Sequence, residues 1–473
     1  MQKIWFKWLS ISCLLCVISC KNGSEVANRN DYKETGFHQM AQTPPMGWNS
    51  WDCAGIEITE KQVKAVADYM SENLKEYGWE YLVVDAGWFH PDTMKTRNWS
   101  MKNPPQRLDR YGRLLPDTIK FPSSRNGKGF KHLADYVHDK GLKFGIHVMR
   151  GIPWNAYKNS LPVKGTDVTA LDIGDTTNVC DWAKVTYGID MDKEGAQQYY
   201  NSLIELYSSW GVDYIKADDM ARPYQAQEIE AISHAIQKID PSIVLSLSPG
   251  AAPIEKADHL HEYAHLWRIS GDFWDVWKEL YDQFERCEKW APHVKPGGWP
   301  DADMLPLGLL RMNGTDSWVA KKLGDSTNIH KFKRQYSLFT EEEQYTLINL
   351  FSIFRSPLMF GGYLPENDSL SDALITNKEV LYVNQHSTNN RQIKRDDNMA
   401  VWAAKDKNSD DLFVALFNLS DQSRVISVSW DELQLVSETL NVTNLWTNDQ
   451  SKYTGKLDIK LPAHGSFMGV VNR

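Results

Sequence analysis

Five aspartates stand at or just beyond the ends of short apolar runs: Asp85, Asp218, Asp219, Asp272 and Asp303. Any one of them alone reads as a helix cap, because an Asp carboxylate accepts from the free amides of a helix that follows a strand. Together they describe a mouth lined with carboxyls. In Asp213-Tyr214-Ile215-Lys216-Ala217-Asp218-Asp219, alternation aims Lys216 and Asp218 to one side, where a cation keeps a neighbouring carboxylate ionised. Asp272, closing Arg268-Ile269-Ser270-Gly271-Asp272, can face Asp218 across that mouth. Two opposed carboxyls, one ionised and one able to carry a proton, suit glycosidic bond cleavage, with a nucleophile for the anomeric carbon and an acid for the departing oxygen. At about 5 to 5.5 Å apart they give a covalent glycosyl-enzyme and net retention. The competing chemistry is a metal site with Asp218, Asp219, Asp301 and Asp303 as oxygen ligands. Histidine is scarce at the strand ends, so neither a metal nor another cofactor is expected.

The elements that must position these groups alternate along the chain. Short β-branched or aromatic runs at 46–51, 81–88, 142–149, 212–219, 243–249, 266–272, 303–308 and 358–364 are separated by segments with apolar residues at three- and four-residue spacing, among them 60–77, 130–140, 196–210, 226–239 and 341–354. Eight strands with crossover helices predict an α/β fold, a (β/α)8 TIM barrel over residues 42–385. Its chemistry belongs at the strands' C-terminal ends. The stretch 150–190 lacks helical periodicity and is expected to form an elaborate loop on that face. Beyond about residue 385 the pattern becomes strand-like at 399–405, 412–418, 424–429, 440–446 and 465–471, which predicts a C-terminal antiparallel β-sandwich over 386–473.

Composition agrees with this organisation. The 473 residues exceed one ordinary core and suit a barrel plus a small second domain. The 19 Trp and 20 Tyr suit a surface that packs pyranose faces on rings, although core filling accounts for most of them. A net charge of -9 leaves no basic surplus to neutralise phosphates, so a nucleic-acid partner is not expected, while a neutral carbohydrate partner, which the paired carboxyls call for, remains compatible. Lys3 and Lys7, an apolar run to Ile18 and then Ser19-Cys20 read as a lipoprotein signal peptide over 1–20 with lipobox Cys20, followed by a polar linker over 21–41. The run is too short for a spanning helix of roughly 20 residues. The expected location is beyond the inner membrane, periplasmic or at the outer-membrane surface, held only by lipid on Cys20. Besides Cys20, the chain after the signal holds Cys53, Cys180 and Cys287, which leaves room for one bridge, Cys53 to Cys180.

The run Thr43-Pro44-Pro45-Met46-Gly47-Trp48-Asn49-Ser50-Trp51, with Tyr81-Leu82-Val83-Val84-Asp85, Lys216-Ala217-Asp218, Arg268-Ile269-Ser270-Gly271-Asp272 and Gly297-Gly298-Trp299-Pro300-Asp301-Ala302-Asp303-Met304-Leu305, resembles glycoside hydrolase family 27. That family holds α-galactosidases and α-N-acetylgalactosaminidases, with β-L-arabinopyranosidase and isomaltodextranase branches. The resemblance implies Asp218 as nucleophile and Asp272 as general acid/base of a retaining exo-hydrolase for terminal α-galactose. It implies Trp51, Asp85, His147, Lys216, Ser248, Arg268 and Asp303 as sugar-contacting residues, and leaves Trp48 and Trp299 open between packing and substrate contact. The sequence departs from the family where a second aspartate commonly follows Asp85 to grip the sugar's 6-hydroxyl, because Ala86 stands there. Asp172, Asp175 or Asp181 in the 150–190 stretch could substitute for it. His147 stands where tyrosine is frequent and Met220 where a disulfide cysteine is common, while small Ser248 and Ala251 resemble the N-acetylgalactosaminidase arrangement.

Overall fold

The computed structural model describes residues 36–95, 102–180, 182–248, 250–313 and 334–472. The signal peptide, its lipobox Cys20 and most of the linker lie outside the described residues, as does Asp181.

Eight parallel strands curl around one axis: β1 Met46–Asn49, β2 Tyr81–Val84, β3 Lys143–Met149, β4 Tyr214–Asp218, β5 Val244–Leu247, β6 Leu266–Arg268, β7 Trp299–Asp301 and β8 Leu358–Phe360. Their order is sequential, and β1 pairs with β8, so the sheet closes apart from the gap between β7 and β8. A bridge from Leu305 to Phe360 spans that gap, with the Leu305 amide donating to the Met359 carbonyl at 2.8 Å. Tyr81, Val83, Tyr214, Val244, Leu266, Trp299 and Met359 meet inside the barrel and fill it with side chains, so it is a packed core and not a channel.

The seventh strand differs from the sequence expectation. It runs over Trp299–Asp301, not 303–308, in register with β6 through Trp299↔Leu266 and Asp301↔Arg268. Pro300 has no amide for a ladder on the β8 side, and Asp303 adopts φ 89°, which ends extended pairing before the apolar residues that had suggested a strand.

Helices follow the strands as the periodicity predicts. α1 Glu60–Asn73 starts with a capping box in which Thr59 accepts from the Gln62 amide. α2 Lys131–Asp139, α3 Ala196–Ser209, α4 Ala226–Ile239, α5 Ala257–Tyr263, α6 Trp277–Trp290 and α7 Glu341–Phe354 complete the outer ring. The stretch after β3 is more ordered than a loop: segments 152–153, 174–179 and 186–189 form a three-stranded sheet, and two short helices join it. Phe37, within the expected linker, is fully buried against the His265 ring at 4.0 Å.

Past β8 come helices Ser369–Ile375 and Lys378–His386, after which the chain turns antiparallel. A six-stranded sheet holds β9 Ser387–Asp396, β10 Met399–Asp406, β11 Leu412–Asn418, β16 Ser466–Asn472, β13 Thr439–Asn444 and β14 Gln450–Thr454 in that order. Strands β12 Arg424–Ser429 and β15 Lys456–Leu461 pair as a second layer. Alternation along β11 explains the sandwich: Leu412, Val414 and Leu416 point to the second layer, while Phe413, Ala415 and Phe417 join the core that includes α7. Strands β9 and β14 had no clear sequence signal because their polar side chains interrupt the alternation, whereas β15, Lys456-Leu457-Asp458-Ile459-Lys460-Leu461, alternates regularly and was missed.

Candidate active site

The inward-facing positions of β2, β3 and β4 bring the predicted residues together. Asp85 follows β2, His147 lies in β3, and Lys216 and Asp218 occupy β4, with His147 in register with Lys216. Asp218 is buried, and each carboxylate oxygen has one partner: the Asp219 amide donates to Oδ1 at 2.6 Å, and His147 Nε2 lies 2.7 Å from Oδ2. The other His147 nitrogen, Nδ1, is buried with no hydrogen-bond partner among the described residues, and the His147 carbonyl accepts from Trp88.

Lys216 serves a different carboxylate from the one expected. Its Nζ lies 2.8 Å from Asp85 Oδ2, which also accepts from Asn49 Nδ2 at 2.7 Å, while Asp85 Oδ1 accepts from the Ala86 amide at 2.7 Å. Burial opposes ionisation of Asp85, but Lys216 and then His147 outweigh it and hold the carboxyl well below its ordinary range. Burial likewise pulls Lys216 down, and Asp85 more than offsets it and raises the ammonium above its usual value.

Arg268, at the end of β6, is the second cation. Its Nη2 lies 2.6 Å from Asp303 Oδ2 and 3.3 Å from Asp272 Oδ1. The Phe273 amide donates to Asp303 Oδ2 at 2.8 Å. Burial, only partly offset by Arg268, pushes the Asp303 carboxyl above its ordinary range. The Asp272 side chain is 42% exposed, in contrast to the enclosed Asp218. The strand order β4-β5-β6 leaves one strand between the two residues. Just after that strand Ser248 is buried, with its amide donating to the Ala217 carbonyl at 2.8 Å, whereas Ala251, further on, is exposed.

Trp51 is half-buried between two clusters: the barrel interior, and an apolar group of Ile56, Ala86, Met94, Met149, Cys180, Ala183 and Val185. Ala86 is 2% exposed within that group. Asp172 and Asp175 bring no carboxylate to it: Asp172 accepts from Thr169 and Asp175 from Thr177, both exposed and local. Trp48 and Trp299 are packing residues, fully buried with their indole N–H groups donated to the carbonyls of Gly362 and Ala41.

The one bridge for which the cysteines leave room does not form, since Cys53 and Cys180 are both free and buried. Nor do Asp218, Asp219, Asp301 and Asp303 converge as a ligand set. Asp218 is held by His147, Asp219 by Arg150, Asp303 by Arg268, and Asp301 accepts from the Asp303 amide. His261-Glu262-Tyr263-Ala264-His265 has the spacing of a zinc-binding helix. Here α5 ends at Tyr263, His265 bonds to the Phe37 carbonyl and the Leu245 amide, and His261 bonds to the His293 carbonyl, so the two rings do not converge.

Two residues beneath the site had no sequence signal. Burial, then the Asp303 carboxylate, push Asp52 well above the usual range, against Lys216 and Arg311. Arg150, just after β3, is 1% exposed and binds Asp219, Glu228 and Asn178. Nothing in a sequence distinguishes a buried arginine from a surface one.

Comparison with known proteins adds the following. Residues 43–184 and 180–319 match the family model described as alpha galactosidase A, and residues 396–471 match the alpha galactosidase C-terminal beta sandwich domain. The structure superposes on a β-L-arabinopyranosidase from Geobacillus stearothermophilus with a TM-score of 0.86 and 43% identity, covering 92% of this chain and 99% of that one. Alpha-galactosidase A of Cellvibrio japonicus is 26% identical over 452 residues, 91% of this chain and 92% of that protein. An alpha-galactosidase of Cyamopsis tetragonoloba is 25% identical over 486 residues, 98% of this chain and 96% of that protein.

Proposed function

This chain belongs to glycoside hydrolase family 27, the α-galactosidase family, and from that premise we propose that it removes terminal galacto-configured pyranosides from oligo- or polysaccharides with Asp218 as nucleophile and Asp272 as acid/base. It is a glycoside hydrolase of the α-galactosidase type. The contrast between its two carboxyls carries the assignment of roles. Asp218 is enclosed and has one donor on each oxygen, which aims it while leaving lone pairs for attack. Asp272 is 42% exposed, where it can deliver a proton to a leaving group and then take one from water.

The steps follow from this placement. Asp218 attacks the anomeric carbon as Asp272 protonates the departing oxygen, which gives a covalent glycosyl-enzyme. Water deprotonated by Asp272 then displaces Asp218, and the anomeric configuration is retained. Strands about 4.8 Å apart put β4 and β6 about 10 Å apart, a span that inward-reaching carboxyls narrow toward the spacing of a retaining pair. Asp85, ionised by Lys216, offers acceptors to sugar hydroxyls, and Arg268 and Trp51 complete the cradle. The test is the hydrolysis of 4-nitrophenyl α-galactoside followed by NMR. The first-formed sugar should be the α-anomer, and β-product or a total lack of turnover across galacto-configured substrates would overturn the reading.

A second reading concerns the sugar's exocyclic carbon. β-L-Arabinopyranose has the ring configuration of α-D-galactopyranose without the hydroxymethyl group. The position where a second aspartate would meet a 6-hydroxyl holds Ala86, in a cluster whose side chains offer no carboxylate. That wall favours the pentopyranoside, and the likeness to the Geobacillus β-L-arabinopyranosidase supports it. The ratio of kcat/KM for the two nitrophenyl glycosides decides it, and a ratio well in favour of galactoside would remove this reading.

The N-terminal sequence supports export and acylation of Cys20, which would place the enzyme in the periplasm or at the outer-membrane surface. Labelled palmitate should enter the wild-type protein and not Cys20→Ala; equal labelling would refute the anchor.

A further inference from the structure

Asp219 departs from ordinary backbone geometry directly beside the proposed nucleophile. Its φ is 65°, in the left-handed region that non-glycine residues enter at a cost unless their surroundings hold them there. In this conformation its amide donates to Asp218 Oδ1 at 2.6 Å. Arg150 supplies the hold. Its Nε lies 2.9 Å from the Asp219 carbonyl and 2.8 Å from Asp219 Oδ2, so one nitrogen contacts both ends of the residue. Its own amide donates to the Asp218 carbonyl at 3.2 Å.

The guanidinium is itself fixed from the far side. Nη1 lies 2.9 Å from Glu228 Oε1 on α4, and Nη2 donates to Asn178 Oδ1 at 2.8 Å. Glu228 accepts in turn from the Tyr200 hydroxyl of α3. Arg150 is 1% exposed, too enclosed to meet substrate, yet its planar fork ties β3, the end of β4, α4 and the sheet after β3 to one point behind the nucleophile.

We propose that Arg150 is the positioning residue of the nucleophile: by holding Asp219 in the left-handed conformation, it keeps the Asp219 amide on Asp218 Oδ1 and so sets the aim of that carboxylate. A hydrogen bond from a fixed amide holds a carboxylate in one orientation, and losing it lets the carboxyl turn away from the line of attack while the residues that bind the sugar stay in place.

The inference rests on Asp218 being the nucleophile, and the experiment separates the two. Wild type, Arg150→Met/Glu228→Gln, Glu228→Gln and Asp219→Gly are compared by kcat and KM on the best nitrophenyl glycoside, with melting temperatures measured in parallel. The double variant avoids stranding the Glu228 carboxylate. It should lose roughly 10- to 100-fold in kcat with KM changed less than about threefold. Glu228→Gln should lower the melting temperature yet keep kcat near that of the wild type, because Arg150 still contacts Asp219. Asp219→Gly, which reaches positive φ without strain and keeps the amide, should lose less in kcat than the double variant does. An unmoved kcat in a folded double variant would overturn the proposal. So would equal losses in Glu228→Gln, which would reduce Arg150 to a structural role. Retained activity in Asp218→Ala would instead sink the nucleophile assignment.

Discussion

Lys216 Nζ sits 2.8 Å from Asp85 Oδ2, so the lysine two residues before the proposed nucleophile neutralises the carboxylate of a different strand. The strand alternation foretold that Lys216 and Asp218 share a face, and they do. What alternation cannot convey is which of several inward carboxylates a flexible ammonium will choose. With Asp85 also accepting from Asn49, the pair forms a fixed anionic acceptor, while Asp218 is held by the shorter reach of His147 and a backbone amide.

The buried pair makes acid stability testable. Asp85 is held below its ordinary value, so it stabilises the fold above the unfolded pKa of about 3.9, and that contribution is lost as pH falls through and below that value. Lys216→Met removes the partner and should cost about 3 to 5 kcal/mol at pH 7, since it strands a buried charge. Acidification from pH 7 to 4 should then narrow the stability gap between variant and wild type, because the stranded carboxyl can take up a proton. Melting curves over that range check it, and a gap that does not change with pH would count against the pair.

Asp218→Ala should reduce turnover by several powers of ten while the fold persists, because the side chain ends a strand at the mouth and lies outside the apolar core. His147 Nε2 loses its partner in that variant, so a stability loss of about 1 to 3 kcal/mol should accompany the kinetic loss. Near-normal turnover would remove Asp218 from its role.

Asp272→Ala should slow substrates with poor leaving groups far more than activated aryl glycosides at the first step, because only the former need a proton on the departing oxygen. Azide should restore breakdown of the glycosyl-enzyme and yield a glycosyl azide of retained configuration. Equal loss on both substrate types with no azide product would assign the acid/base elsewhere.

His147→Phe should lower kcat about tenfold, the order expected when one hydrogen bond to a buried carboxylate is removed, while His147→Gln, which keeps an amide donor, should lose less. Steady-state kinetics on an aryl glycoside compares the two. Equal loss in both would show that ring volume matters and the donor does not.

These sites differ in how readable they were. Asp85, Asp218 and Lys216 were legible because strand alternation and strand-end position are local properties. The seventh strand was misplaced because the apolar run after Asp303 outweighed a strand of Trp-Pro-Asp, whose placement depends on Trp299 filling the barrel. Arg150 and Asp52 were invisible because their partners are remote in sequence: Arg150 meets Glu228 at a separation of 78 residues. The tryptophans at 48 and 299 could be settled only by where their indole N–H groups end, on the carbonyls of Gly362 and Ala41.

The specificity prediction concerns Ala86. It is 2% exposed among Ile56, Met94, Met149, Cys180, Ala183 and Val185, with Trp51 packed against the group. An aspartate there would enter apolar surroundings one residue from Asp85, so with the site empty Ala86→Asp should lower stability by about 1 to 3 kcal/mol. A galactoside can repay part of this by donating its 6-hydroxyl to the new carboxylate, and an arabinopyranoside, which lacks that hydroxyl, cannot. Sites built around a substrate hydroxyl reject analogues without it by up to about 10⁴ to 10⁵, and even a partly formed contact should shift preference by about tenfold or more. The ratio of kcat/KM for 4-nitrophenyl α-galactoside to that for the β-L-arabinopyranoside should therefore rise in Ala86→Asp. Asp172 and Asp175 are engaged with Thr169 and Thr177, so neither competes for that hydroxyl. If both rates fall together and the ratio stays as in the wild type, the new side chain only crowds the pocket and Ala86 does not set the sugar.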